Sequence, residues 1–66
     1  MTKSVIDAYR NIQEAKEIAE AIQLLCESAP KSAVIYIEAI EGNVTNAALF
    51  EETLSDGSKV YSIALS

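Results

Sequence analysis

The sequence predicts an α+β domain in which one long N-terminal helix packs on a three-stranded antiparallel β-meander. Three observations predict this fold class. Apolar residues recur at steps of three and four from Ser4 to Ser28, which is the spacing of one helix face. Three later segments, at about 33–41, 44–54 and 59–65, have the alternating or β-branched character of strands. Two glycine-containing turn signals separate these segments.

The helix is expected over about residues 4–28. Ser4 is the candidate N-cap, because its hydroxyl can accept a hydrogen bond from a first-turn N–H, and Thr2 is the alternative cap. Pro30 lacks an N–H and should end the helix two residues earlier. Ile6 and Leu24 lie off the apolar face, either as tolerated exposed residues or as part of a contact surface. The predicted apolar face consists of Ala8, Ile12, Ala15, Ala19, Ile22 and Cys26, widened by Val5, Ile18 and Leu25.

Two hairpin turns are expected to build the meander. Gly42-Asn43 suits a two-residue type II′ turn, and Asp56-Gly57 is a second two-residue hairpin signal. Both turns place the same residues on the face toward the helix: Ile35, Ile37, Ala39, Ala48, Phe50, Tyr61, Ile63 and Leu65. A short helix over Asn46–Leu54 is the alternative to a strand there, since this segment also contains helix formers at helical spacing. A β-bulge near residues 45–47 is a further alternative.

The second face of the predicted sheet keeps several large apolar residues. A solvated face of an antiparallel sheet is normally polar, and 66 residues supply only one helix to cover the sheet. Contiguous apolar patches are rare on monomers, so this face is predicted to be an interface with a protein partner or a second copy. Twist and loops that hide part of the face are the alternative. The interface residues expected are Val34, Tyr36, Ile40, Leu49 and Val60.

The size and cysteine content predict a single domain, residues 1–66, that associates with itself. A chain of this length buries only about 60% of its unfolded surface, so small domains usually add disulfides, a metal or a partner subunit. Cys26 is the only cysteine, which excludes an intrachain disulfide, and there is no histidine for a usual zinc site. Oligomerisation is the remaining way to stabilise so small a domain, and we expect a homodimer. Cys26 itself is expected to be a small core residue.

The net charge of −5 limits the classes of partner. Nucleic acids and anionic membranes are bound by clustered Lys and Arg, so neither is an expected partner. A basic protein partner is compatible with this charge, as is simple solubility. The first residues lack the apolar core of a signal peptide, and no run is long enough to span a membrane. We therefore expect a cytoplasmic protein.

The sequence does not favour an enzyme. Without histidine the usual general base near neutral pH and any Ser–His or Cys–His pair are missing. Glu51 and Glu52 are adjacent on a predicted strand and point to opposite faces, so they cannot act as a carboxylate pair. The two glycines lie in separate turns, so no phosphate-cradling loop exists. We expect no catalytic residue, metal, cofactor or small-molecule substrate.

Three functions remain as hypotheses. The first is a small acidic non-enzymatic protein-binding module that regulates or inhibits a larger protein partner, as a homodimer. The second is a nucleic-acid-mimicking inhibitor, of the type that phages and mobile elements encode, which occupies a basic nucleic-acid-binding groove. Its candidate acidic surface consists of Glu14, Glu17, Glu20, Glu38 and Glu51. The third is a purely structural dimerisation unit.

Overall fold

The structure, a computed structural model, describes residues 2–66 as one helix and one four-stranded sheet. In chain order the elements are β1 (Thr2–Tyr9), α1 (Ala15–Ser28), β2 (Ile35–Ala39), β3 (Ala47–Thr53) and β4 (Lys59–Leu65). The strand order in the sheet is β1-β3-β4-β2. β3 is antiparallel to both β1 and β4, whereas β2 runs parallel to β4. The α+β class is confirmed, and the three-stranded antiparallel meander is wrong.

The N-terminal part of the predicted helix is a strand. Thr2–Tyr9 contains β-branched and aromatic residues and pairs with β3, so tertiary pairing overrides the helical spacing seen in the sequence. Asn11 has a φ of 59°, in the left-handed region that asparagine tolerates better than most residues, and it lies between β1 and α1. The N-cap is Glu14, with no side-chain capping bond, so Ser4 as the cap is wrong. The end of the helix at Ser28 is as predicted.

The hairpin expected at Gly42-Asn43 does not form. A strand has two edges, and those of β3 are occupied by β1 and β4, which leaves no edge of β3 for β2. The chain after β2 therefore passes the end of β4, where Ser66 anchors it. The Asn46 N–H donates to the Ser66 carbonyl at 2.7 Å, and the Ser66 N–H donates to the Asn46 carbonyl at 2.9 Å. The Thr45 N–H shares the Ser66 carbonyl at 2.9 Å.

The β3–β4 hairpin forms, but with a three-residue loop. The Leu54 N–H donates to the Ser58 carbonyl at 2.8 Å, so these two residues close the loop. The Gly57 N–H donates to the Leu54 carbonyl at 3.0 Å, and Gly57 has a φ of +88°. This is the arrangement of a tight turn followed by a left-handed glycine, rather than the two-residue turn expected at Asp56-Gly57.

The longer loop moves the β3–β4 register by one residue. Leu49 pairs with Ile63, where the two-residue turn would have paired Phe50 with Ile63. Successive residues of a strand point to opposite faces, so this slip exchanges the two faces of β3. Ala47 and Leu49 lie in the core, and the prediction that Ala48 and Phe50 face the helix is wrong.

The core lies between α1 and one face of the sheet. The helix buries Ala21 and Leu25 and packs Ile18 and Ile22 partly against the same cluster. Five predicted members of the helix face are exposed instead. Val5 and Ala8 lie in β1, and α1 turns Ala21 and Leu25 toward the sheet, which leaves Ala15, Ala19 and Cys26 exposed. The prediction of a buried Cys26 is thus wrong. The buried core consists of Ile12, Ala21, Leu25, Ala29, Ala47, Leu49, Tyr61, Ile63 and Leu65.

The molecule is thin and exposes more surface than its mass requires. Its principal extents are 39 × 22 × 15 Å, and its radius of gyration is 12.1 Å. A compact domain of this length is expected to have a radius of gyration of about 10.8 Å. The accessible surface is 4718 Å², against about 4,100 Å² for a typical monomer of this mass.

Candidate protein-binding surfaces

The face of the sheet opposite α1, which we call the open face, has no layer over it in the described residues 2–66. The buried residues of β3 and β4 alternate along each strand and all point toward the helix. The intervening residues form the open face, together with their partners on β1 and β2. The open face consists of Lys3, Val5, Ala8, Val34, Tyr36, Glu38, Ala48, Phe50, Glu52, Val60, Ser62 and Ala64.

The register makes the middle of the open face a continuous row across all four strands. Val5 pairs with Phe50, Phe50 pairs with Ser62, and Ser62 pairs with Tyr36. Val5 is 57% exposed and Tyr36 is 59% exposed, so both ends of this row are accessible. The Lys3 Nζ atom lies 4.9 Å from the centre of the Phe50 ring, a cation–π contact that leaves the ring half-buried. The row is apolar except for the hydroxyls of Ser62 and Tyr36.

The structure separates the predicted interface residues into two groups. Three of them are exposed at or beside β2: Val34, Tyr36 and Ile40. Val60 is half-buried on the open face. Leu49 is 0% exposed in the core, so its assignment to an interface is wrong. Phe50 takes its place on the open face, and the signal that could have located it is the three-residue loop.

The free edge of β2 presents a second surface, made of backbone groups. The Ile40 N–H donates to the Leu65 carbonyl at 3.4 Å, while Ala39 is the register partner of Leu65. In a parallel ladder the N–H and C=O of alternate residues point to the same neighbour. Even-numbered residues of this segment therefore bond to β4. The residues whose backbone N–H and C=O point away from the sheet are Ile35, Ile37 and Ala39.

The side chains of β2 are also uncovered. The helix packs mainly against β1 and β3, so it does not shield the far side of the sheet. Ile37 is 56% exposed although it lies on the helix side, in the same row as the buried Leu49 and Ile63. We call residues 34–40 the β2 ribbon. Its exposed large apolar residues are Val34, Tyr36, Ile37 and Ile40.

The predicted acidic residues do not form one surface. Glu14, Glu17 and Glu20 are exposed on or next to α1, in the other layer from Glu38, which lies on the open face. Glu17 is engaged locally, because its Oε2 atom accepts a hydrogen bond from the Gln13 N–H at 3.0 Å. The helix acids alone therefore remain as a candidate acidic surface.

The fifth predicted acid, Glu51, forms an ion pair. The Lys59 Nζ atom lies 2.9 Å from its Oε1 atom. The hydrogen bond to Glu51 and the charge of that carboxylate raise the pKa of Lys59 above its ordinary value. Glu51 pairs with Tyr61 on the helix side of the sheet, so it lies apart from the open face. We therefore remove Glu51 from the candidate acidic surface.

Within residues 2–66, no group of three or more Cys, Asp or Glu side chains is placed to hold a metal ion. In the same part of the chain, no helix has the length and apolarity needed to cross a membrane. Scans against protein-family models, curated proteins and solved structures found no match for this chain.

Proposed function

We propose that this protein is a small non-enzymatic protein-binding module that regulates or inhibits a larger protein, and that the open face is its contact surface. The observation that carries the proposal is the sheet with a helix on one side only. The row from Val5 through Phe50 to Tyr36 is large, rigid and accessible, and aromatic residues of this kind commonly anchor protein interfaces.

The chemistry of the open face also describes the partner. Its centre is apolar, while Glu38 and Glu52 lie in the flanking rows, with Lys3 opposite Glu52, and the whole chain carries a charge of −5. A matching partner surface is flat and apolar at its centre and carries basic residues around it, because complementary charge at the rim favours encounter and orientation. The partner is accordingly a basic protein surface.

The test is capture of a partner followed by measurement of its affinity for matched variants. A tagged chain is used to isolate the partner from lysate of the native host, and binding of the purified pair is measured by calorimetry. Val5→Glu places a charge at the exposed end of the apolar row and should weaken binding at least tenfold. Gln23→Glu makes the same charge change on the exposed surface of α1 and should leave binding unchanged. Equal affinity for the two variants would refute the open face as the contact surface.

Nucleic-acid mimicry is the second candidate, and the exposed acids of the helix favour it. Four carboxylates are exposed along or beside α1: Glu14, Glu17, Glu20 and Glu27. The triple variant E14Q/E20Q/E27Q should weaken binding and reduce its salt dependence if these acids replace phosphates. Under the first proposal the same variant binds nearly as well as the wild type. A dimer that captures no partner would favour the purely structural role.

A further inference from the structure

We propose that the β2 edge binds a second copy of this chain, with the two β2 strands antiparallel and Ile37 opposite Ile37, so that two four-stranded sheets become one of eight strands. This inference concerns the backbone edge of the sheet rather than its open face, although Val34, Tyr36 and Glu38 belong to both, and it goes beyond the proposed function. The first reason is the free edge itself. Ile35, Ile37 and Ala39 direct unpaired backbone N–H and C=O groups away from the sheet, and such an edge is a template for another strand.

The backbone restricts the possible registers. In an antiparallel pair, hydrogen-bonded residues lie opposite each other and alternate with non-bonded pairs. The outward residues of one copy must therefore face the outward residues of the other. A two-fold axis through a residue meets this condition, while an axis between two adjacent residues does not, and axes at residues 36, 37 and 38 keep the largest part of β2 paired.

The side chains select among these three registers. An axis at Ile37 places Val34 opposite Ile40 and Tyr36 opposite Glu38, so no like charges face each other. An axis at Glu38 places this carboxylate opposite its own copy, which is repulsive. An axis at Tyr36 places Glu38 opposite Val34 and Ser32 opposite Ile40, so the charged and the polar side chain each face an apolar one. The Ile37 axis gives the best match.

The occupant is a second copy because the β2 ribbon is complementary to itself. In a two-fold interface both copies use the same surface, so residue i of one copy meets residue j of the other and j meets i. The segment Val-Ile-Tyr-Ile-Glu-Ala-Ile over residues 34–40 matches its own reversed copy when the axis passes through its central residue, Ile37. The surplus of exposed surface over a typical monomer and the thin core agree with a fold that is completed by association. The ribbon also contains no lysine, proline or glycine that would discourage pairing.

The experiment exploits the position of Ile37 on the axis. Sedimentation velocity and native mass measurement are made on the wild-type chain, on Ile37→Lys alone, on Ile37→Glu alone and on an equimolar mixture of the two variants. The wild type should be a dimer, each variant alone a monomer because like charges meet at the axis, and the mixture a one-to-one heterodimer. Ile37 is 56% exposed, so circular dichroism should show that both variants remain folded. Val5→Glu, on the opposite half of the sheet, should remain a dimer.

A second pair of variants tests the register. Val34→Lys should weaken the dimer, and addition of Ile40→Glu to the same chain should restore it, since positions 34 and 40 face each other across the axis. A wild type that is monomeric across the micromolar range would overturn the proposal. So would a dimer that survives both Ile37 variants, a mixture that fails to associate, or a double variant no tighter than Val34→Lys alone. Because the Ile37→Lys variant should be monomeric, its affinity for the captured partner measures the contribution of the open face without that of the dimer.

Discussion

The two edges of the sheet, β1 and β2, are built in opposite ways. β1 carries Lys3 near its start and has an irregular register between Val5 and Asp7, where Ile6 is an extra residue. The helix packs against β1 and covers that end of the sheet. β2 has a regular register throughout, carries no lysine, and is not a main packing surface of the helix.

This difference indicates which edge the fold leaves available. Natural sheets discourage unwanted pairing with charges, bulges and covering elements, and β1 has all three. β2 has neither a bulge nor a helix packed mainly against it, and its one charged residue is Glu38, while its exposed side chains are the more apolar of the two edges. An unprotected apolar edge is a liability unless a partner occupies it, so the asymmetry supports an occupied β2.

The largest effect is expected from truncations within one row of the sheet. Leu49 is 0% exposed and Ile37, in the same row, is 56% exposed. Leu49→Ala should lower the free energy of unfolding by about 2–5 kcal/mol, the range for a buried leucine. Ile37→Ala should lower it by roughly 1 kcal/mol or less at dilution, where no dimer contributes. Urea denaturation measures both, and equal losses would show that β2 is as well packed as the centre.

The second-largest effect, on the size of the assembly, is expected from removing the bulge and the lysine that protect the free edge of β1. Deletion of Ile6 together with Lys3→Val should give β1 a regular register and an uncharged edge. Each molecule would then have two edges able to pair, and β1–β1 pairing between β2-linked dimers would extend the assembly beyond a dimer. Light scattering should detect these larger assemblies. Lys3→Val alone retains the bulge and is the control, and a deletion variant that stays dimeric would show that the bulge does not protect this edge.

The sequence correctly predicted the elements whose position is marked by residues within or next to them. Pro30 located the end of α1, and alternating β-branched residues located β2 and β4. The strand at Ala47–Thr53 is confirmed over the short helix that its composition also allowed. Each of these depends on residues close together in the chain, which is why the sequence alone was informative.

The missed features depend on contacts between distant residues. Thr2–Tyr9 continues the helical spacing of the following segment, and only its pairing with β3 makes it a strand. That one strand also displaces β2 to the far edge, so a single missed element changed the whole topology. On the open face, one extra loop residue exchanged Leu49 for Phe50. The exposure of Val34, Tyr36 and Ile40 was predicted, because it did not depend on that register.

Amide hydrogen exchange should distinguish the two edges residue by residue. The outward N–H groups of Ile35, Ile37 and Ala39 should exchange quickly in dilute protein and slow down as the protein concentration rises. Those of Lys3 and Val5 point away from β3 and should exchange quickly at every concentration. In the Ile37→Lys variant, the exchange rate of the N–H at position 37 should be the same at every protein concentration. Protection that increases at β1 rather than β2 would reverse the assignment of the edges.

The smallest effect is expected at the β3–β4 loop, which lies between the two edges and should alter neither. The Asp56 Oδ1 atom accepts hydrogen bonds from the Ser58 hydroxyl at 2.6 Å and from the Ser58 N–H at 2.9 Å. These bonds lower the pKa of Asp56 below its ordinary value of 3.8. A lowered pKa contributes stability above pH 3.8, and that contribution is lost as pH falls through the folded-state value. Asp56→Asn should therefore reduce Tm slightly at pH 7 and by less at low pH. Its dimer mass should match that of the wild type, and a change in mass would show that the loop influences an edge after all.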